Sequence, residues 1–170
     1  MLNIRQLAQC ALFIALMAVS AHLKLPISIV PITFQFCMVL LVGLLLNRAQ
    51  IVYVMAGYIG LGLIGLPVFA SGAGITYVLS PSFGFVLGFL SCALIVNHFE
   101  QKMSGILIGY LSLYAIGLPY LFMIFRLVLE NPITIKTLFL SYWAVFLISD
   151  GLSIFLALVL YNRLKSIVVG

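Results

Sequence analysis

Few residues in this sequence can do chemistry. Glu100, Glu130 and Asp150 are its only carboxylates, His22 and His98 its only imidazoles, and Cys10, Cys37 and Cys92 its only thiols. The carboxylates are far apart in sequence, whereas acid/base catalysis needs a positioned pair or its equivalent. The two histidines are expected at opposite faces of a membrane, and a metal site needs several converging ligands. Three cysteines, each inside an apolar run, read as buried small hydrophobes rather than as disulfides or a zinc site. No Walker sequence is present, so the chain hydrolyses no nucleotide by that route. The pattern argues against an enzyme and calls for no cofactor and no metal. Energy for any pumping has to come from elsewhere.

What remains is binding chemistry, and two residues stand out for it. Asp150 lies about thirteen residues into an apolar run, roughly 20 Å along a helix that rises 1.5 Å per residue. A carboxylate inside a transmembrane helix costs roughly 2.5–3.5 kcal/mol on insertion scales and usually faces a cavity. Ser149 and Ser153 add polarity beside it, which favours ligand contact over a purely structural hydrogen bond. Gln35 is a second polar group in an apolar run, with donors and an acceptor in one side chain. Its alternative role is a hydrogen bond between helices. Between them, residues 68–81 form a long connection without charge that holds Ser71, Gly72, Gly74, Thr76, Tyr77 and Ser80. Irregular backbone at membrane depth is tolerated only where protein or a cavity covers it. This loop is therefore expected to fold onto the protein.

The elements that must position these groups are read from hydropathy. Of the 170 residues, 65% are hydrophobic and 6% charged, against about 25% charged in a soluble domain. A helix crossing the hydrocarbon needs roughly 20 apolar residues. Six such spans are expected, at about 4–21, 31–46, 51–66, 82–96, 104–125 and 137–161, giving an all-α integral membrane protein with residues 1–170 as one transmembrane substrate-binding domain. The first run, followed by Ala18-Val19-Ser20-Ala21, imitates a cleavable secretory signal but makes a credible membrane helix. Its Ala8, Ala11, Ala15 and Ala18 share one face, suited to close packing inside the protein or to docking of a partner subunit. Gly57, Gly60 and Gly62 suggest close helix contact in the third span, as do Gly84 and Gly88 in the fourth. Pro67 is expected to stop the third span, and Gly117 and Pro119 to bend the fifth. The connections at 22–30, 97–103 and 126–136 carry Lys24 and Pro26, a short polar turn, and Glu130, Asn131 and Pro132.

Net charge is +5, but the basic residues are strewn singly, without the clustering that nucleic acid requires. Six spans bring both termini to one side. If that side is the cytoplasm, it receives Arg5, Arg48, Lys102, Arg163 and Lys165, against Lys24, Arg126 and Lys136 outside. The distribution agrees with the positive-inside rule.

Several segments resemble a known family. Val30-Pro31-Ile32-Thr33-Phe34-Gln35 is similar to its second-helix motif, and the run from Tyr58 to Ala70, with Gly65-Leu66-Pro67-Val68-Phe69, to its third-helix ending. Ser80-Pro81-Ser82-Phe83-Gly84-Phe85 resembles the segment that follows, and Asp150 matches an acidic position of the last helix. Together these resemble BioY, the biotin-binding S component of energy-coupling factor (ECF) transporters. The resemblance spans nearly the whole chain and is sharpest between residues 30 and 88. It implies a six-helix subunit that captures biotin from outside and works with a transmembrane coupling subunit and a pair of ATPases. It also implies that Ala11 and Ala15 meet the coupling subunit. The candidate substrate-binding residues are Asp150, Gln35, Ser153, Tyr77, Ser71, Gly72, Gly74 and Phe83.

The chain departs from the family pattern in three places. Ser153 stands where a lysine usually lies one turn after the acidic residue, Val86 follows Phe85 where some members have arginine, and the polar loop is reduced to Ser71-Gly72-Ala73-Gly74. A ligand carboxylate wants a cation or several N–H donors. Lys24, Arg126 or Lys136 is expected to supply that cation from the outer loops. The alternatives are a related small molecule, such as lipoate or a biotin precursor, or a structural membrane subunit that holds no ligand.

Overall fold

A computed structural model describes residues 2–25, 29–99, 102–130 and 133–168. The expected features at Pro26, Glu100, Gln101, Asn131 and Pro132 lie outside the described residues. Seven α-helices occur among them: α1 Ile4–His22, α2 Gln35–Leu45, α3 Arg48–Leu63, α4 Phe83–His98, α5 Lys102–Leu127, α6 Ile135–Tyr142 and α7 Leu147–Val168. A short antiparallel pair, β1 Lys24–Leu25 and β2 Ile32–Thr33, lies between α1 and α2. The last two helices are joined by a 3-10 turn at Ala144–Phe146 into one apolar stretch, so the helices make six legs. The first, fifth and sixth legs are long and apolar enough to cross a membrane, while α2 and α4 are shorter apolar helices. The chain is a multi-pass membrane protein.

The core forms around α2. Nine of its eleven residues are buried, as expected for a helix apolar on every side, and it packs against α1, α4 and α7. The closest pairing is α4 along α5. There Gly88 lies against Leu113 and Gly109 against Cys92 and Val96, and a Cβ on Gly88 would stand 2.8 Å from Leu113 Cδ1. Small residues let helix backbones approach this closely where packing drives association. Of the glycines in the third leg, Gly57 meets Ile14 of α1 and Gly62 meets the Phe69 ring, whereas a Cβ on Gly60 would meet no described residue within 4 Å.

Several boundaries differ from the sequence reading. The second leg begins at Gln35 rather than 31, because Ile32 and Thr33 pair with Lys24 and Leu25 as strands. The third begins earlier, at Arg48, because Asn47 and Gln50 form a reciprocal capping box. Its end is set by Gly65 rather than by Pro67. Gly65 has φ +108°, its N–H donates to Gly62 O, and the Leu66 N–H donates to Leu61 O. This is a Schellman closure, which favours glycine at the left-handed position. Helix α5 stays helical through Gly117 and Pro119.

The sixth leg carries the most consequential difference. Its helix is interrupted at Trp143, so Asp150 lies in the first turn of α7 and not deep inside a continuous helix. A carboxylate is favoured there, beside N–H groups that have no partner within the helix.

Both termini reach the same end of the molecule. Arg5 Nη2 donates to Ile167 O and Gln9 Nε2 to Val168 O, each at 3.0 Å. The strand pair and the loop at residues 68–81 come together elsewhere, where Lys24 Nζ donates to Ala70 O. That loop folds onto the protein as expected: Phe69, Ala70 and Tyr77 are buried. The Phe69 and Tyr77 rings stack at 4.4 Å, and Gly74 N donates to Gly62 O at 2.7 Å.

Candidate functional site

Beneath this loop lies a cavity of about 60 Å³ bounded by β2, α2, α4, α5 and the start of α7. Phe36, Phe85, Phe89 and Phe146 give it an aromatic wall, and Thr33, Gln35, Tyr77, Ser82, Tyr114 and Asp150 contribute its polar groups. Such a lining suits a small organic molecule: apolar faces supply contact area, and a few placed polar groups fix orientation.

Each polar group is held by a definite partner. Tyr114 Oη, on α5, donates to Asp150 Oδ2 at 2.6 Å, a charge-assisted bond that leaves the other carboxylate oxygen available. Gln35 opens α2. Its Nε2 donates to Tyr58 Oη at 2.7 Å, and its Oε1 accepts from Thr33 Oγ1 at 3.2 Å. Tyr58 Oη in turn donates to Val68 O at 2.8 Å. Gln35 therefore makes the expected hydrogen bond between helices and also lines the cavity. Tyr77 Oη and Ser82 Oγ are 2.8 Å apart, as are Ser80 Oγ and Ser82 Oγ. These bonds tie the loop to the start of α4.

Of the expected substrate residues, the cavity brings together Asp150, Gln35 and Tyr77. Ser153 does not line it, although it is buried on the same stripe of α7 as Asp150. Phe83 is buried in the aromatic cluster with Phe69, Tyr77 and Tyr120 and does not reach the cavity either. Ser71 and Gly72 line a separate, outer depression of about 370 Å³ with Thr76 and Pro81. Gly74 serves the loop itself, at φ +90°. The loop contributes its buried Ala70 and Tyr77 to the cavity while its polar tip faces outward.

The three candidate cations separate as well. Lys24 pairs with Thr33 across the strands and bonds Ala70 O, and both of those residues line the cavity. Arg126 and Lys136 are exposed and line no part of it. On α1, Ala8, Ala11 and Ala15 are exposed and Ala18 packs against the core, so internal packing accounts for Ala18 alone.

Sequence reasoning does not name Tyr114, Tyr110, Tyr58 or Ser82 as site residues, although the last two fall in the segments that resemble the family. Tyr110 and Tyr114 stand four apart on α5 and thus on one face. Two tyrosines one turn apart in an apolar run are the signal that could have identified them. Tyr114 also lines an apolar groove of about 530 Å³ between α5 and α6, so its ring separates that groove from the cavity.

Comparison with known proteins agrees with this architecture. The model described as the BioY family matches residues 1–169. The chain is 40% identical over 125 residues to a probable biotin transporter BioY of Lysinibacillus sphaericus, covering 68% of this chain and 64% of that protein. It is 34% identical over 102 residues to the biotin transporter BioY of Thermotoga maritima, covering 59% of this chain and 60% of that one. The chain thus covers less than two thirds of the length of either relative. The fold is similar to the crystal structure of the S-component for biotin from an ECF-type ABC transporter. That match has TM-score 0.74 at 22% identity and covers 98% of this chain and 95% of that one.

Proposed function

The chain belongs to the BioY family, and from that premise we propose that it binds biotin from outside the cell and delivers it with an ECF energising module. The observation that carries this reading is Asp150, anchored by Tyr114 on one oxygen and facing an aromatic-walled cavity. A cyclic urea presents N–H donors beside a carbonyl, and the available Asp150 oxygen accepts from such an N–H. The fused rings lie against Phe36, Phe85 and Phe89. The valerate points toward Thr33 and Ala70, where Lys24 meets its carboxylate. Lys24 takes the role that the family pattern gives to a lysine at position 153. Because small-molecule pockets run to about 300–1,000 Å³, the cavity widens as the ligand enters.

As a passive binding module, the subunit relies on a coupling membrane subunit and a pair of ATPases. Exposure of Ala11 and Ala15 on α1 supports their use as the docking face, since small side chains permit close backbone approach. The termini lie in the cytoplasm of a prokaryotic plasma membrane. That orientation is supported by the larger share of basic residues on the terminal side and by the meeting of both termini at one end.

Titration of the purified protein with biotin, desthiobiotin and lipoate tests the ligand. Saturable binding of biotin and desthiobiotin with weaker binding of lipoate is expected, and absence of biotin binding overturns the reading. Replacing Ala11 and Ala15 by Trp is expected to abolish co-purification with a coupling subunit while biotin affinity stays unchanged. Retained assembly would move the docking face elsewhere. A second reading, uptake of a related neutral molecule, is favoured by Ser153, which brings no cation to the Asp150 stripe. Equal affinity for biotin and its uncharged amide would select it.

A further inference from the structure

The Tyr110 hydroxyl is buried and, among the described residues, has no hydrogen-bond partner. Its residue is only 9% exposed, and its neighbours are the Asp150 carboxylate and the Trp143 side chain. Native proteins satisfy nearly all buried polar groups, and an orphaned donor costs stability with no return in the fold. The Tyr110 ring lies 4.8 Å from that of Tyr114 and 5.9 Å from that of Phe36, and both neighbours line the cavity. One turn along α5, the Tyr114 hydroxyl already occupies Asp150 Oδ2.

We propose that Tyr110 is a ligand-recognising residue whose hydroxyl donates to the ureido carbonyl while Asp150 accepts from the adjacent ureido N–H. This rests on the biotin reading above and deepens it. A cyclic urea presents a C=O and an N–H side by side, and a hydroxyl donor beside a carboxylate acceptor is its complement. Tyr114 then acts as a positioning residue, turning one carboxylate oxygen away from the ligand so that the other faces it. The cavity is too small to admit a bicyclic molecule without rearrangement. The apolar groove between α5 and α6 gives this wall of the cavity room to widen while the Tyr114–Asp150 bond is kept, and the widening brings the Tyr110 hydroxyl into reach.

The test exploits an unusual sign. Tyr110→Phe removes an unsatisfied hydroxyl from the ligand-free protein, so its thermal midpoint is expected to rise by roughly 2–4 °C while biotin binding weakens about tenfold. A purely structural tyrosine would not weaken binding as stability rises. The partner group is identified with the ureido thio-analogue of biotin, whose C=S is a poorer acceptor. Wild type should bind that analogue less tightly than biotin, and Tyr110→Phe should weaken it little further. Wild-type affinity of Tyr110→Phe for biotin overturns the proposal and leaves the biotin reading standing. Equal weakening for biotin and thio-analogue also overturns it, because the hydroxyl would then serve some other group. Failure of wild type to bind biotin overturns both. If Tyr110→Phe does not fold, the wild type decides the matter with biotin carrying carbon-13 in the ureido carbonyl. A stretch lowered on binding supports a donor at that oxygen, and one unshifted from its position in apolar solvent overturns the proposal.

Discussion

Two regions of this molecule gather polar side chains, one half-exposed around the buried Gln50 and one buried around the cavity, and they differ in how fully those groups are paired. At the terminal end, Asn3 and Gln6 cap α1 reciprocally, as Asn47 and Gln50 cap α3. Gln50 Nε2 then donates to Gln9 Oε1 at 2.8 Å, and Gln9 Nε2 donates to the Val168 carbonyl. This cluster closes on itself. Around the cavity Gln35, Tyr77 and Ser82 are paired too, but among the described residues Asp150 receives a hydrogen bond through one oxygen and Tyr110 has none. A polar cluster that only holds helices together gains by saturating its own hydrogen bonds. On the proposed function, the cavity keeps a donor and an acceptor in reserve for a ligand and gives up stability for it.

That contrast can be broken experimentally, beginning with its most sensitive point. Asp150→Asn is expected to weaken biotin binding by about 1.5–3 kcal/mol, the worth of a hydrogen bond to a charged group, which is roughly tenfold to a hundredfold in Kd. The protein should insert and fold as before. Calorimetric titration of the folded variant reads the effect, and unchanged affinity would remove Asp150 from the site.

At the terminal end the expected effect moves from binding to stability. Gln50→Leu leaves the Asn47 backbone N–H and Gln9 Oε1 without their partner, while the Asn47 side chain still caps the backbone N–H at position 50. It is expected to cost about 0.5–1.5 kcal/mol. Thermal unfolding would show this, while affinity for biotin should match the wild type. A comparable loss of affinity would mean that the two ends are coupled, and the contrast between them would fail.

The smallest effect is expected at Lys24, which approaches the cavity from an exposed strand. Lys24→Ala should weaken biotin by a few-fold at low ionic strength, and the difference should shrink as salt screens the pair. Affinity for the uncharged amide should not change. Ser153→Lys is expected to tighten binding of the acid over the amide, because it brings a cation one turn from Asp150. If neither variant alters the preference for acid over amide, the carboxylate is not recognised by charge.

The sequence alone determined the membrane character, the six helical legs and the identity of Asp150 and Gln35 as cavity groups. Each follows from a free energy local to a segment: transfer of apolar runs into lipid, or the cost of a polar side chain inside such a run. Folding of the 68–81 loop onto the protein was legible for the same reason. Where groups of different segments had to meet, only the tertiary structure decided. The break at Trp143 has no hydropathy signal, because Phe139, Trp143 and Phe146 are as apolar as a continuous helix. Yet it moves Asp150 to the start of α7. Candidate residues sharing one short stretch also parted company: Tyr77 turned inward to the cavity while Ser71 and Gly72 faced outward. Tyr114 and Tyr110 were invisible as site residues because a tyrosine in an apolar run is ordinary until a partner is set against it. Asp150 stands 36 positions further on from Tyr114. Packing of α5 beside the last leg made one hydroxyl its anchor and left the other without a partner among the described residues.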